Sequence, residues 1–202
     1  MDGPRTLRES TDALVDDLVA LGVKTLKVVG VSGGGYRALL LALSPRVVVS
    51  HVVTLAGYAT LEPAHRDGLK QLAALARTGG DVGVAAPTMF AAAYGKANPA
   101  AVDRVRAELA RVPATVLAEE LEAAASSEDL RARLPDLGAI VTARAGDGDV
   151  AMPLDRAREI ATGADRGRLE IVAGVGHSLL EEDLEATRQS ILRALRAPES
   201  SG

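Results

Sequence analysis

One stretch, KVVGVSGGGYRALLLA at Lys27–Ala42, constrains the backbone more than any other part of the chain. Thr25–Val29 is β-branched, apolar and closed by Gly30, the pattern of a short buried strand. Tyr36–Leu43 is rich in Ala and Leu, both good helix formers. Between them Gly30-Val31-Ser32-Gly33-Gly34 fits G-x-S-x-G, with a third glycine, Gly35, behind it. A serine at so sharp a strand-to-helix turn sits under backbone strain. Glycines two places before and after it let the flanking backbone close without Cβ clashes. The hydroxyl is then presented above the sheet at the positive end of the following helix, where an oxyanion can be stabilised.

Two other readings fit the same glycines. Gly33-Gly34-Gly35-Tyr36-Arg37-Ala38 matches the G-x-G-x-x-A dinucleotide fingerprint and also follows a strand. That reading requires an acid roughly 20 positions on, at the end of the next strand, to hold a ribose. The next strand, Val47–Leu55, instead runs into Ala56-Gly57-Tyr58-Ala59-Thr60, and the first acid after the glycines is Glu62. The third reading is a tight turn that happens to contain a serine.

The rest of the chain supplies the frame. Thr6–Leu21 carries an apolar helical stripe (Leu7, Leu14, Val15, Leu18, Val19, Leu21) ending at Gly22. Helix, strand, helix and strand in this order, with short links, imply parallel pairing through right-handed crossovers. Residues 62–133 change character: Ala- and Leu-rich amphipathic helices are broken at Thr78-Gly79-Gly80, Gly95 to Pro99, Pro113 and Ser126-Ser127. A helical block of about 70 residues is too long for an ordinary crossover and reads as an inserted cap. A third strand, Gly138–Arg144, leads into Gly146-Asp147-Gly148-Asp149-Val150-Ala151-Met152-Pro153. A helix over Leu154–Ala161 and a fourth strand, Arg168–Ala173, follow. Gly174-Val175-Gly176-His177-Ser178 precedes a final helix, Glu181–Leu195, and a frayed tail, Pro198–Gly202. The expected architecture is an α/β core of about four parallel strands (1–61 and 134–202) with a helical cap (62–133).

Composition removes several alternatives. With 202 residues the chain suits one well-buried domain. A net charge of −4, with Lys and Arg interleaved among acids, argues against nucleic acid as a partner. No apolar run approaches the ~20 residues of a membrane span, and MDGPRTLRES lacks a signal-peptide core, so a cytoplasmic protein is the expectation. The absence of cysteine excludes disulfides and thiolate chemistry.

In a parallel sheet all strand carboxyl ends share one edge, where ligands bind. The loops after strands one, three and four are therefore neighbours, and they carry Ser32, the Asp147/Asp149 pair and His177. A serine needs a base to become a nucleophile, and histidine suits that role near neutral pH. The histidine in turn needs a carboxylate to fix its tautomer. His51, inside the second strand, and His65, near the start of the cap, read as structural or surface residues.

With GVSGGG, GDGDVAMP and GVGHS in place, the chain resembles the C-terminal two-thirds of an α/β-hydrolase-fold protein, of the esterase, enol-lactonase and haloperoxidase-like group with a helical cap. The resemblance implies an ester- or lactone-cleaving serine hydrolase needing no metal or cofactor, with Ser32 as nucleophile, His177 as base and the backbone N–H of Gly33 as oxyanion donor. The group's acid motif, G-x-x-D-x-x-x-P, selects Asp149 over Asp147, since Gly146 and Pro153 then both fall in place. The group also carries four strands ahead of the first helix and a His-Gly loop that gives a second oxyanion donor, and Met1–Gly22 supplies neither. The chain then reads as a fragment of a longer product, as one that pairs through the edge at 25–29 with a second copy or a missing N-terminal half, or as a silent ligand- or partner-binding domain. The four aromatics give a substrate hint: Met89, Phe90 and Tyr94, with Tyr58, would line an apolar pocket over Ser32 for a small uncharged acyl or ester group.

Overall fold

The computed structural model describes residues 6–197; what was expected of residues 1–5, within the stretches MDGPRTLRES and Met1–Gly22, and of the tail at 198–202 lies outside them. Thr6 caps helix α1 (Leu7–Ala20) in a reciprocal box with Glu9, and Gly22, at φ 75°, closes its end. Strand β1 (Thr25–Val31), helix α2 (Gly33–Ala42) and strand β2 (Val48–Leu55) follow. The segment up to the next strand is helical throughout: α3 (Pro63–Arg77), a 3₁₀ turn (Val82–Met89), α4 (Ala92–Ala97), α5 (Pro99–Arg111), α6 (Ala114–Ala125) and a second 3₁₀ turn (Arg131–Asp136). Strand β3 (Ile140–Gly146), helix α7 (Leu154–Gly163), strand β4 (Gly167–Val172) and helices α8 (Leu179–Glu182) and α9 (Leu184–Arg196) complete the described chain.

The four strands form one parallel sheet in the order β1-β2-β3-β4. Val31 pairs with Leu55, Leu55 with Arg144 and Gly146 with Val172, so the carboxyl ends are level and their loops share one rim. Strands β2 and β3 are covered on both faces, so their side chains are buried almost without alternation, the polar Ser50, His51, Thr54, Thr142 and Arg144 included. Leu39, Val52, Val141 and Ile160 sit in the main core on one side; Val53, Leu55, Val175 and Leu179 form a second cluster under α9. Tyr36 and Tyr58 stack in the main core with ring centroids 5.2 Å apart. Strand β1 is one of the sheet's two edges, β4 being the other, and Val29 and Val31 remain 40% and 44% exposed.

Two elements differ from the sequence reading for identifiable reasons. Strand β1 runs on past Val29 because its pairing with β2 continues: the Ser32 N–H donates to the Leu55 carbonyl at 2.8 Å. The final helix is broken at Asp183, which leaves helical geometry at φ −146° while its carboxylate meets the buried Arg144 guanidinium at 2.6 Å. Among the described residues no helix is long and apolar enough to cross a membrane.

Candidate active site

Ser32 stands at the junction of β1 and α2 with φ 52° and ψ −120°, one of two non-glycine residues at positive φ among those described. Such a conformation costs of order 1–3 kcal/mol and persists only where neighbours enforce it. Here the enforcement is backbone: Ser32 N–H is held by Leu55, and the Ser32 carbonyl accepts from Gly35 N–H at 2.8 Å. The glycines divide the work differently from the motif's symmetry. A Cβ on Gly30 would overlap the Gly34 carbonyl, and one on Gly35 would lie 3.1 Å from Gly57 Cα, whereas Gly33 and Gly34 have open space there. Gly30 and Gly35 therefore let the turn and its helix approach the sheet. Gly33 and Gly34 supply the first amides of α2, which have no intrahelical acceptor.

The loops after β3 and β4 are packed backbone to backbone. A Cβ on Gly146 would overlap the Val175 carbonyl, the same carbonyl that accepts from Gly148 N–H at 3.0 Å. Asp147 completes this join, its Oδ1 accepting from Gly174 N–H at 2.6 Å. Two residues on, Asp149 is buried; its Oδ1 accepts from Met152 N–H at 2.7 Å and its Oδ2 lies 2.8 Å from His177 Nδ1. Of the two acids, Asp147 thus ties the loops together and Asp149 contacts the imidazole. An ionised carboxylate at this distance makes Nδ1 the donor, which leaves the lone pair of a neutral imidazole on Nε2.

His177 is itself 8% exposed, and its loop is clamped to the helical segment. Ser178 N–H donates to the Met89 carbonyl at 2.9 Å. Glu182 Oε2 accepts from Gly176 N–H at 3.0 Å and from Ala91 N–H at 3.1 Å, so one carboxylate joins the two segments. A cavity of 650 Å³ opens over the rim, with Ser32 and His177 both in its wall. No hydrogen bond joins the two side chains; such contacts are often long in the unliganded state and tighten around substrate. His177 also borders a second cavity of 290 Å³, walled by Val31, Leu55, Phe90 and residues of α5.

No protein-family model matches the chain. Its structure is similar to that of an α/β hydrolase enzyme from a Medee basin deep-sea metagenome library, with a TM-score of 0.88 at 16% identity, covering 100% of this chain and 76% of that one. It is similar as well to the enol-lactonase from Burkholderia xenovorans, with a TM-score of 0.86 at 22% identity, covering 98% of this chain and 75% of that one. A thermophilic esterase from Thermogutta terrifontis, malate bound, matches with a TM-score of 0.85 at 21% identity, over 97% of this chain and 74% of that one. The chain has the α/β-hydrolase fold.

Within the α/β-hydrolase fold the rim sets Asp149 against His177 and places Ser32 and His177 in one cavity wall, but it does not assemble the expected aromatic pocket. Of those four residues only Met89 lines the cavity that contains Ser32. Tyr58 is 2% exposed and committed to the core by its stack on Tyr36. Phe90 and Tyr94 stack at 5.6 Å, with Phe90 extended (φ −129°, ψ 153°) between the 3₁₀ turn and α4. That turn of the backbone sends Phe90 to the second cavity, beside His177, and leaves Tyr94 outside both. The wall over Ser32 is instead mainly aliphatic, built from one face of α3 (Gly68, Leu69, Leu72, Leu75) with Met152 and Val150, and Gln71 and Thr88 add uncharged polar groups. His65, read from the sequence as structural or surface, lines the same cavity. Its spacing from Gly68, Leu69 and Leu72 is the i, i+3, i+4, i+7 pattern of a single helix face, and that was the available signal. His51, by contrast, is a core histidine, bonded through Nδ1 to Ser50 Oγ (3.0 Å) and through Nε2 to the Ala197 carbonyl (2.9 Å).

Proposed function

We propose that the protein is a serine hydrolase acting on a carboxylic ester or lactone. The observation that carries this reading is the buried Asp149–His177 contact ending in the same cavity wall as a serine held at positive φ. Ser32 Oγ attacks the substrate carbonyl while His177 Nε2 takes its proton, and Asp149 holds the ring and stabilises the imidazolium. The oxyanion is received by the Gly33 N–H at the start of α2. The imidazolium then protonates the leaving alkoxide, and water, activated by the same Nε2, releases the acyl group from Ser32. The helical segment over the rim acts as a cap, and its aliphatic wall favours an uncharged acyl group. The bare edge at β1 is where another strand, from a second copy or a further segment, would pair and bring a second oxyanion donor.

A fluorophosphonate probe tests the nucleophile directly. It is expected to label the wild-type protein and to fail on Ser32→Ala; equal labelling of both would remove Ser32 from its role. The unlinked Ser32 and His177 side chains favour one second reading, a catalytically silent ligand-binding domain on the same scaffold. Hydrolysis of a simple aryl ester above background, lost in Ser32→Ala, separates the two.

A further inference from the structure

His65 occupies the third position of α3, directly after Pro63 and Ala64, and lines the cavity over Ser32. Its backbone is firmly placed. Arg66, the next residue, donates to the carbonyls of Leu61 (2.9 Å), Ala125 (2.7 Å) and Ser127 (2.7 Å), pinning the helix start to the end of α6 and the turn that follows it. The imidazole is not similarly engaged. Its Nδ1 is buried and has no hydrogen-bond partner among the described residues, in contrast to both ring nitrogens of His51. A buried polar nitrogen left unpaired costs about 1–3 kcal/mol, so a histidine in an aliphatic wall is a poor choice for packing alone.

The company it keeps defines the ligand. Among the described residues no Lys, Arg, Asp or Glu lines this cavity, and its other walls are mainly Leu, Met, Val and Ala. An ionic group would find no carboxylate, ammonium or guanidinium to pair with there, whereas a neutral hydrogen-bonding group placed away from Ser32 and His177 would find His65, with Gln71 and Thr88 as the other uncharged polar side chains. A hydroxyl meets either imidazole tautomer, because it both donates and accepts.

We propose that His65 is a specificity-determining residue that hydrogen-bonds an uncharged polar substituent, a hydroxyl or a carbonyl, borne on the otherwise apolar acyl or lactone body away from the reacting carbonyl. The substrate class is thereby an oxygen-substituted, uncharged ester or lactone. This inference rests on the reading of the cavity as an ester site.

Equilibrium binding separates it from the chemistry. Kd values are measured for a series of methyl alkyl ketones and their ω-hydroxy isosteres of increasing chain length, with the full chain, His65→Leu and His65→Gln. At the chain length where the hydroxyl reaches position 65, His65→Leu shifts the hydroxy-to-methyl Kd ratio toward the methyl ligand by at least about fivefold, the worth of roughly 1 kcal/mol. His65→Gln, which retains a donor and an acceptor, restores most of the wild-type ratio. A ratio in His65→Leu within about twofold of wild type at every chain length overturns the proposal. That result leaves Ser32-dependent ester hydrolysis untouched if the reading of the reaction is right. Conversely, equal probe labelling of wild type and Ser32→Ala, with the ratio shift intact, would remove the reaction and keep the binding residue.

Discussion

Asp149→Asn is the most discriminating perturbation of the rim, because the structure fixes what an isosteric amide can do there. The carboxylate accepts two bonds, from Met152 N–H at 2.7 Å and from His177 Nδ1–H at 2.8 Å. Asparagine has one acceptor oxygen and one donor nitrogen for the same two neighbours. If its oxygen turns to His177, its NH₂ confronts the Met152 N–H, leaving a buried donor unsatisfied at about 1–3 kcal/mol. If its oxygen keeps Met152, its NH₂ faces Nδ1, and the imidazole must carry its proton on Nε2. The second arrangement satisfies every group, so the tautomer flips and Nε2 no longer has a lone pair to offer Ser32. Such a reversal costs about 10⁴ in kcat in the serine protease triad, equivalent to about 5.5 kcal/mol.

Asp147→Asn is the control. The amide oxygen still accepts from Gly174 N–H, so the loops stay joined, His177 is not contacted, and kcat is expected to fall by no more than about threefold, with roughly 0.5–1 kcal/mol of stability lost with the charge assistance. The assay is steady-state aryl ester hydrolysis for all three proteins, paired with imidazole nitrogen shifts of His177 by NMR. Full activity in Asp149→Asn with collapse in Asp147→Asn would exchange the two acids. A proton that stays on Nδ1 in Asp149→Asn would refute the tautomer argument whatever the rates.

Two further predictions concern the scaffold. Gly68 sits inside α3 with open space where a Cβ would go, so Gly68→Ala is expected to raise stability by about 0.5–1 kcal/mol, whereas Gly30→Ala, which drives a methyl into the Gly34 carbonyl, lowers it by at least about 3 kcal/mol; chemical denaturation of the pair checks both signs. Burial pushes the phenols of Tyr36 and Tyr58 up to about 12. An acid whose pKa is higher in the folded state binds its proton more tightly there. The stabilisation is complete below the unfolded value near 10 and is lost as pH rises from about 10 to 12, on the order of 2 kcal/mol per tyrosine. Tyrosinate absorbance should therefore appear together with loss of near-ultraviolet circular dichroism, and ionisation of both rings in a still-folded protein would contradict the burial argument.

The positions legible in the sequence are those where backbone meets backbone. Gly30, Gly35, Gly146 and Gly176 stand where a Cβ would strike another segment's main chain or nearly touch it, and that demand writes glycine into the chain at fixed offsets from Ser32, Asp149 and His177. Parallel pairing of the first two strands was legible for a separate reason, since short links through one helix between apolar runs leave it as the economical topology. The cavity wall carries no such signature. An aliphatic side chain facing a void and one facing a core have the same composition and the same helical spacing, so Leu69, Leu72 and Leu75 could not be told from ordinary packing.

Aromatics misled for a related reason. Their size made them natural candidates for a pocket, yet two of the four were needed for the core stack between α2 and the loop after β2, and Phe90 was turned away by its own extended backbone at the end of the 3₁₀ segment. His65 marks the opposite failure: a polar side chain inside an apolar helix face looks like surface until the second wall is present. Only the fold supplies that wall, by setting Met89, Met152 and Ser32 across the cavity from α3. The chemistry of this rim is therefore written in local offsets. The shape of its cavity belongs to the pairing of two segments far apart in the chain, which the clamp of Glu182 on Ala91 and Gly176 holds in register with the His177 loop.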